Sequence, residues 1–121
     1  MKSRPARQTW TQRFRCAFVG LAHVLWHEPS GRVHAAAVVL VTALGAVLNL
    51  TSLEWALLSL CCGSVIGAEA LNTAIERLAD RVSTEQEEAI RIIKDTAAAG
   101  VLACTLGAAG VALCIFLPKL L

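Results

Sequence analysis

Two long segments with almost no charged residues constrain the fold of this chain more than any other feature. Residues 96–117 carry no charge at all, and within residues 33–68 only His34 and Glu54 can be charged near neutral pH. At about 1.5 Å per residue, the later segment forms a helix of roughly 33 Å, long enough to cross the hydrocarbon core of a bilayer. The earlier segment is too long for one crossing, and residues 49–52 (Asn-Leu-Thr-Ser) mark a turn within it. The sequence therefore predicts three transmembrane helices, at about residues 33–49, 53–74 and 96–117.

The composition also excludes a soluble domain with the usual nucleotide-binding motifs. Hydrophobic residues make up 56% of the 121 residues, the mean hydropathy is +0.62, and there is no Tyr. A soluble domain of this length is less apolar. Neither the phosphate-binding pattern G-x-x-x-x-G-K-[ST] nor a kinase Gly-rich loop occurs. A nucleotide would therefore have to be held by side chains from helices.

The distribution of basic residues predicts how the chain lies in the membrane. Of the eleven Lys and Arg residues, all but Lys119 either precede the first predicted span or lie between the second and the third. Basic residues are concentrated on the cytoplasmic side of membrane proteins. We therefore expect a cytoplasmic N-terminus, with the turn at residues 49–52 and the C-terminus outside. The ten residues are Lys2, Arg4, Arg7, Arg13, Arg15, Arg32, Arg77, Arg81, Arg91 and Lys94.

The N-terminal segment predicts an amphipathic helix and shows no cleavable signal pattern. Apolar side chains recur at helical spacing from about residue 10 to residue 28, with basic residues beside them. Such a helix lies in the membrane interface, with its basic groups toward anionic headgroups. The segment 29–31 (Pro-Ser-Gly) ends it and leads into the first span. Its apolar side comprises Trp10, Phe14, Phe18, Leu21 and Leu25.

A stripe of polar residues begins inside the second predicted span. Glu69, Asn72, Glu76 and Asp80 stand at i, i+3, i+7 and i+11, which places them within about 80° on one helix face. A carboxylate inside a membrane span is costly and is a functional hypothesis by default. If the helix enters the membrane at Leu53 on the outer side, Glu69 lies roughly 6 Å inside the cytoplasmic edge. A water-soluble reagent and a lipid headgroup can meet at that depth.

The residues around this polar stripe supply what phosphoryl transfer requires. Glu76 lies about 10.5 Å further along the helix than Glu69, where a carboxylate suits a hard cation such as Mg²⁺. Lys94 and Asp95 follow the short connection 81–90 and bring a cation and a carboxylate to the same level. Together they provide a base, metal ligands and positive charge for phosphate. The alternatives are a small membrane transporter and a non-enzymatic membrane assembly subunit, in which polar residues only hold helices together.

The same residues resemble a known family. The run E-A-L-N-T-A-I-E at 69–76, followed by Asp80 and by Lys-Asp at 94–95, is similar to the signature of the prokaryotic integral-membrane diacylglycerol kinases, whose Gram-positive members are undecaprenol kinases. The resemblance extends over about 14–116. It implies an ATP-dependent lipid kinase of the bacterial inner membrane that acts on undecaprenol or diacylglycerol and has no nucleic-acid partner. It also covers Glu28, Arg32 and His34.

The resemblance implies a role for each matching residue. Glu69 would be the catalytic base, which takes the proton from the lipid hydroxyl as that hydroxyl attacks the γ-phosphate. Asn72 would help to position the reacting groups. Glu28 and Glu76 would bind the divalent metal ions, Mg²⁺, that bridge the ATP phosphates. The Lys-Asp pair at 94–95 would contact the nucleotide.

Two further implications concern the nucleotide pocket and the assembly. Cys16 occupies a position that is aromatic in the best-known diacylglycerol kinases and belongs to their nucleotide pocket, so Cys16 is a candidate nucleotide contact. Family members are homotrimers with sites between subunits. That assembly agrees with our expectation that three helices of one chain leave Glu69 and Asn72 hard to shield. The run 32–34 (Arg-Val-His) resembles the undecaprenol kinase branch and favours a polyprenol acceptor.

Overall fold

The chain is helical throughout the part that the structure describes. This computed structural model describes residues 6–83, 85 and 87–121, and in these ranges the regular elements are four helices. Three of them are long and apolar enough to cross a membrane. An all-α chain with three helices of membrane-spanning length is therefore confirmed. The helices are α1 (Trp10–His27), α2 (Pro29–Leu48), α3 (Ser52–Val82) and α4 (Glu88–Leu120).

Each membrane helix is longer than the apolar span predicted for it. Helix α2 begins at Pro29, because Pro at the first helical position lacks only an amide that would have no intrahelical partner. Helix α3 continues past residue 74 to Val82, and α4 begins at Glu88, well before residue 96. The hydropathy pattern marks only the apolar part of a helix, whereas the backbone hydrogen bonds continue into the polar segments. Lys2 and Arg4 of the orientation argument lie outside the described residues.

The predicted turn between the first two spans is confirmed and is closed by local hydrogen bonds. Asn49 ends α2 in the left-handed backbone conformation, with φ of 54°. Thr51 then caps α3: the Glu54 amide donates to Thr51 Oγ1 at 3.2 Å, and the Thr51 amide donates to Glu54 Oε1 at 3.0 Å. This reciprocal capping box satisfies two amides at the helix start. The capping box fixes where α3 begins and hence the distance of each α3 residue from the turn.

Helices α1 and α2 meet at a junction of one residue and cross closely. Glu28 ends α1 and also precedes the first residue of α2. A Cβ atom on Gly31 would lie 2.7 Å from the backbone carbon of Val24, and closer still to its carbonyl oxygen. Val24 is itself buried. The absence of a side chain at Gly31 therefore lets α1 fold back across the start of α2.

Helices α3 and α4 form a long antiparallel hairpin, and α2 packs against α3. The core cluster is small and lies near the turn at residues 49–51, where Leu58, Ile115 and Phe116 are buried together. Many large apolar side chains stay exposed along the hairpin, among them Leu60 at 69% and Leu106 at 63%. A surface this apolar has to be covered by lipid or by other protein, since large exposed apolar patches are rare on soluble monomers.

Candidate functional site

The most deeply buried acidic side chain in the described residues is Glu69, which α2 covers. The side chain of Glu69 retains 4% of its exposure. Ser30 Oγ donates a hydrogen bond to Glu69 Oε1, and His34 Nε2 lies 3.4 Å from Glu69 Oε2. Ser30 and His34 are four residues apart on α2 and therefore share a face. The expectation that helices of a single chain would leave Glu69 unshielded is wrong, because the polar first turns of α2 supply its partners.

Asn72, about 60° around α3 from Glu69, borders the groove between α3 and α4. Its Oδ1 atom is buried and has no hydrogen-bond partner among the described residues. The residue lines a groove of about 570 Å³ between α3 and α4, together with Ile93, Thr96 and Gly100. A buried acceptor without a donor is uncommon and calls for an explanation, such as a ligand or another chain. The described helices therefore shield Asn72 Oδ1 from solvent but supply no donor to it.

Glu28 is held by Arg77 at the junction of α1 and α2. The Arg77 guanidinium forms an ion pair with Glu28 Oε1. The same Nη2 atom of Arg77 lies 2.7 Å from His23 Nε2, and because Arg has no acceptor, this nitrogen of His23 accepts. His23 Nε2 also lies 3.8 Å from Glu28 Oε1. These three side chains connect α1, the junction and α3.

The two expected metal ligands are not joined in one cluster. Glu76 is exposed and makes no ion pair with a residue that the structure describes, while Glu28 is paired with Arg77. Within residues 6–83, 85 and 87–121, no group of three or more His, Cys, Asp and Glu side chains could hold a metal ion. Carboxylate oxygens are the ligand type that Mg²⁺ prefers, so both residues fit by chemistry. Arg77 pairs with Oε1 of Glu28, which leaves Oε2 of that carboxylate without an ion pair to the described residues.

Lys94 and Asp95 lie beside the end of the polar stripe that contains Asp80, as their spacing predicted. Lys94 Nζ donates to Asp80 Oδ1 at 2.6 Å, which ties the start of α4 to the end of α3. Arg91 Nη1 lies 3.3 Å from Asp95 Oδ2. These four side chains line an open polar recess of about 410 Å³. Glu85 and Glu87, from the connection between α3 and α4, also line the recess, which therefore contains four acidic and two basic groups.

Cys16 stands apart from these contacts. It is exposed on α1, and its Sγ atom lies 4.0 Å from Gln8 Nε2. It borders an open recess whose charged residues are Arg7 and Arg15. The structure thus places Cys16 beside two basic side chains but not in contact with the other candidate residues.

An apolar cavity lies on the side of Glu69 that faces the turn at residues 49–51. It has a volume of about 210 Å³ between α2, α3 and α4, and its polar end is formed by His34. Most of its wall consists of small or aliphatic side chains, including Ala37, Val38, Leu58, Val65 and Ala108. Because His34 also contacts Glu69, the cavity begins beside the buried carboxylate.

Sequence reasoning missed three contributors to the site. Ser30 and Arg77 received no role, and His34 entered only through the family resemblance. The signal for Ser30 was its i, i+4 spacing to His34, which puts two polar groups on the first turns of an otherwise apolar helix. For Arg77 there was no comparable signal, because its pairing with Glu28 depends on how α1 crosses α2.

Comparison with known proteins identifies the family of the chain. The family model for prokaryotic diacylglycerol kinase matches residues 15–116. An undecaprenol kinase of Bacillus subtilis is 33% identical over 112 residues, covering 89% of this chain and 91% of that protein. A diacylglycerol kinase of Synechocystis sp. is 34% identical over 109 residues, covering 89% of this chain and 62% of that protein. The chain is therefore a bacterial membrane protein that belongs to the prokaryotic diacylglycerol kinase family, a family of phosphotransferases with alcohol acceptors.

Proposed function

We propose that this protein transfers the γ-phosphate of MgATP to the hydroxyl of a membrane lipid, either undecaprenol or diacylglycerol. The observation that carries the proposal is the position of Glu69, a buried carboxylate beside an apolar cavity between three membrane helices. A base at that place can meet a hydroxyl whose hydrocarbon chain stays in the membrane. The matched relatives include one kinase named for each of these lipids.

In the proposed reaction Glu69 acts as general base. Its carboxylate accepts the proton of the lipid hydroxyl while the hydroxyl oxygen attacks the γ-phosphorus. The bond from the γ-phosphorus to the oxygen that bridges to the β-phosphate breaks, and ADP leaves with that oxygen. Asn72 lies about 4.5 Å further along α3. Its unpaired Oδ1 is available to orient a donor on the reacting groups.

The nucleotide is proposed to lie at the cytoplasmic end of α3. Lys94 supplies positive charge for the phosphates after leaving Asp80, and the Asp95 carboxylate can accept hydrogen bonds from the nucleoside. Cys16 is the proposed contact on α1. Glu28 and Glu76 are the residues that would hold Mg²⁺, which neutralises phosphate charge when bound. Without nucleotide, Arg77 forms an ion pair with Oε1 of Glu28.

We further propose that the N-terminus is cytoplasmic and that α1 lies on the membrane surface. The apolar side of α1 is open, with Trp10 73% and Phe18 68% exposed. Arg13 lies over the Trp10 ring at 5.2 Å, so a basic group and an aromatic ring stand together as they do at membrane interfaces. Ten of the eleven basic residues fall on this side.

A homotrimer is the proposed assembly. A Cβ atom built on Gly63, Gly67, Gly107 or Gly110 would meet no other described atom within 4 Å. Faces of small residues let membrane helices approach closely, and here no helix of the same chain uses them. The unpaired Oδ1 of Asn72 is also compatible with a donor from another copy.

The function is tested by measuring ATP turnover of the purified full-length protein in detergent. Separate reactions contain undecaprenol, diacylglycerol or no lipid, each with Mg²⁺. We expect phosphorylated lipid to form, with ADP release that depends on one of the two lipids. ATP turnover that ignores both lipids, or no turnover with either, would contradict the proposal. The lipid that is phosphorylated with the higher kcat/KM identifies the acceptor class.

Metal binding gives a second prediction. Glu28→Gln and Glu76→Gln should each raise the Mg²⁺ concentration for half-maximal activity, by about tenfold, because loss of a carboxylate weakens a site for a hard cation. The measurement is an Mg²⁺ titration of lipid phosphorylation at saturating ATP.

The matched control for this titration is Glu54→Gln. Glu54 lies at the opposite end of α3, where it pairs with Lys119 at 3.2 Å, and Gln can replace Glu in a capping box. Its Mg²⁺ titration should match that of the unchanged protein. Unchanged titrations for Glu28→Gln and Glu76→Gln would assign both residues to packing.

A further inference from the structure

We propose that Ser30 and His34 are the positioning residues of the base: together they orient the Glu69 carboxylate so that Oε2 is the oxygen that takes the proton. This inference rests on the proposed lipid kinase function. It adds to that function a pair of residues on α2 that act through Glu69. Both act from the same chain as the base.

The first step of the argument is that each carboxylate oxygen has its own partner. Ser30 Oγ donates to Oε1, and His34 Nε2 approaches Oε2. The two partners are about 6 Å apart along α2, because they are separated by one helical turn. Contacts to both oxygens fix the rotation of the carboxylate group, which a single contact leaves free. Glu69 as a whole residue is only 3% exposed, and this burial keeps water from replacing either partner.

The second step is that the two contacts differ in strength. Ser30 makes a hydrogen bond, whereas the 3.4 Å between His34 Nε2 and Glu69 Oε2 exceeds the usual N–H···O range of about 2.7–3.2 Å. Ser30 therefore engages one lone pair of Oε1, whereas both lone pairs of Oε2 are free of hydrogen bonds to the described residues, with the imidazole close by. A base needs its accepting oxygen available and correctly directed. This difference assigns the proton to Oε2.

The third step concerns the direction from which the acceptor arrives. His34 forms the polar end of the apolar cavity, which is otherwise lined by residues such as Ala37, Val41 and Val65. The oxygen beside His34 is therefore the one nearer to the cavity, while Oε1 is turned toward Ser30. A hydroxyl on a chain that occupies this cavity meets Oε2 first. The positions of His34 and of the cavity thus agree on the same oxygen.

The competing explanation is that Ser30 and His34 only compensate for the burial of a carboxylate. Buried charges need hydrogen bonds whether or not they are catalytic. In that case changes at either residue lower the stability of the protein but leave kcat of the folded fraction unchanged. A positioning role instead predicts a loss of kcat with KM for ATP unchanged, and recovery when a donor is restored at the same place.

The test compares four variants of the full-length protein in detergent with the lipid that it phosphorylates. Ser30→Ala and His34→Leu remove the donors, whereas Ser30→Thr and His34→Gln retain one. We expect the first two to lower kcat by about tenfold or more, because a small displacement of a catalytic group is costly. KM for ATP should stay within about twofold, since neither side chain is placed at the nucleotide. Ser30→Thr and His34→Gln should recover most of kcat.

The matched control is Thr42→Val on the same helix, whose hydroxyl bonds only to the Val38 carbonyl among the described residues. It should keep the original kcat. The inference is overturned if Ser30→Ala and His34→Leu keep kcat while Glu69→Gln loses activity, and that result leaves the proposed function intact. It is also overturned if the donor-retaining variants lose as much kcat as the others. If His34→Leu does not fold, the kcat values of Ser30→Ala, Ser30→Thr and His34→Gln test the inference. Absence of lipid-dependent activity in the unchanged protein is a failure of the proposed function itself.

Discussion

Glu69→Gln should lower kcat for lipid phosphorylation by about 10²-fold or more while the protein stays folded. Glutamine has nearly the same shape as glutamate, and its carbonyl oxygen can still accept the hydrogen bond from Ser30. An amide cannot take a proton from a hydroxyl at neutral pH. The substitution therefore removes the base and leaves the α2–α3 contact, so the expected loss is chemical rather than structural. The measurement is single-turnover phosphorylation at saturating ATP and lipid.

The control for this experiment is Glu88→Gln, which changes an exposed carboxylate that pairs with Arg91 at the start of α4. It should retain normal kcat. Native mass spectrometry should give three copies of the 12.8 kDa chain for the unchanged protein and for both variants. A Glu69→Gln trimer that binds ATP and phosphorylates lipid at near-normal rate would remove Glu69 from the role of base.

The membrane helices could be predicted from sequence because the relevant rule is local. Crossing a bilayer requires only a long apolar segment without charge, and residues 96–117 display that directly. The turn at residues 49–52 is predicted because the earlier apolar segment is too long for one crossing, and the structure has it at residues 49–51. The ends at Val82 and Glu88 could not be predicted in this way. There the helices run through polar sequence, where backbone hydrogen bonding and caps set the ends rather than hydropathy.

The polar stripe was predicted on one helix, and α3 contains all four of its residues. Periodicity gives a common face, but it does not give the neighbours of that face. Glu69 is buried against the first turns of α2, whereas Glu76 and Asp80 are exposed further along α3, beyond the level at which α2 begins. The partners of Glu69 depend on how α2 packs against α3, and the partner of Glu28 depends on how the junction of α1 and α2 lies beside α3. The sequence marks the close crossing of α1 and α2 only by the small residue Gly31.

The crossing gives the second large effect: Gly31→Ala should lower both thermal stability and kcat. The added Cβ would lie 2.7 Å from the Val24 backbone carbon, and backbone atoms cannot rotate away as a flexible side chain can. Overpacking of this kind typically costs about 1–3 kcal/mol. It outweighs the roughly 0.5–1 kcal/mol that alanine gains over glycine inside a helix. We therefore expect net destabilisation from a substitution that usually stabilises helices.

The loss should extend to activity because Gly31 lies next to residues that hold the site. Glu28 and Ser30 precede it and contact Arg77 and Glu69, so a shift of α1 against α2 displaces both contacts. Displacements of about 1 Å at a catalytic group can cost about 10²-fold in rate. Gly20→Ala on α1 is the matched control, because its Cβ would meet no described atom within 4 Å, and it should keep kcat and melting temperature. Equal melting temperature and kcat for Gly31→Ala and Gly20→Ala would show that the close crossing does not hold the site in place.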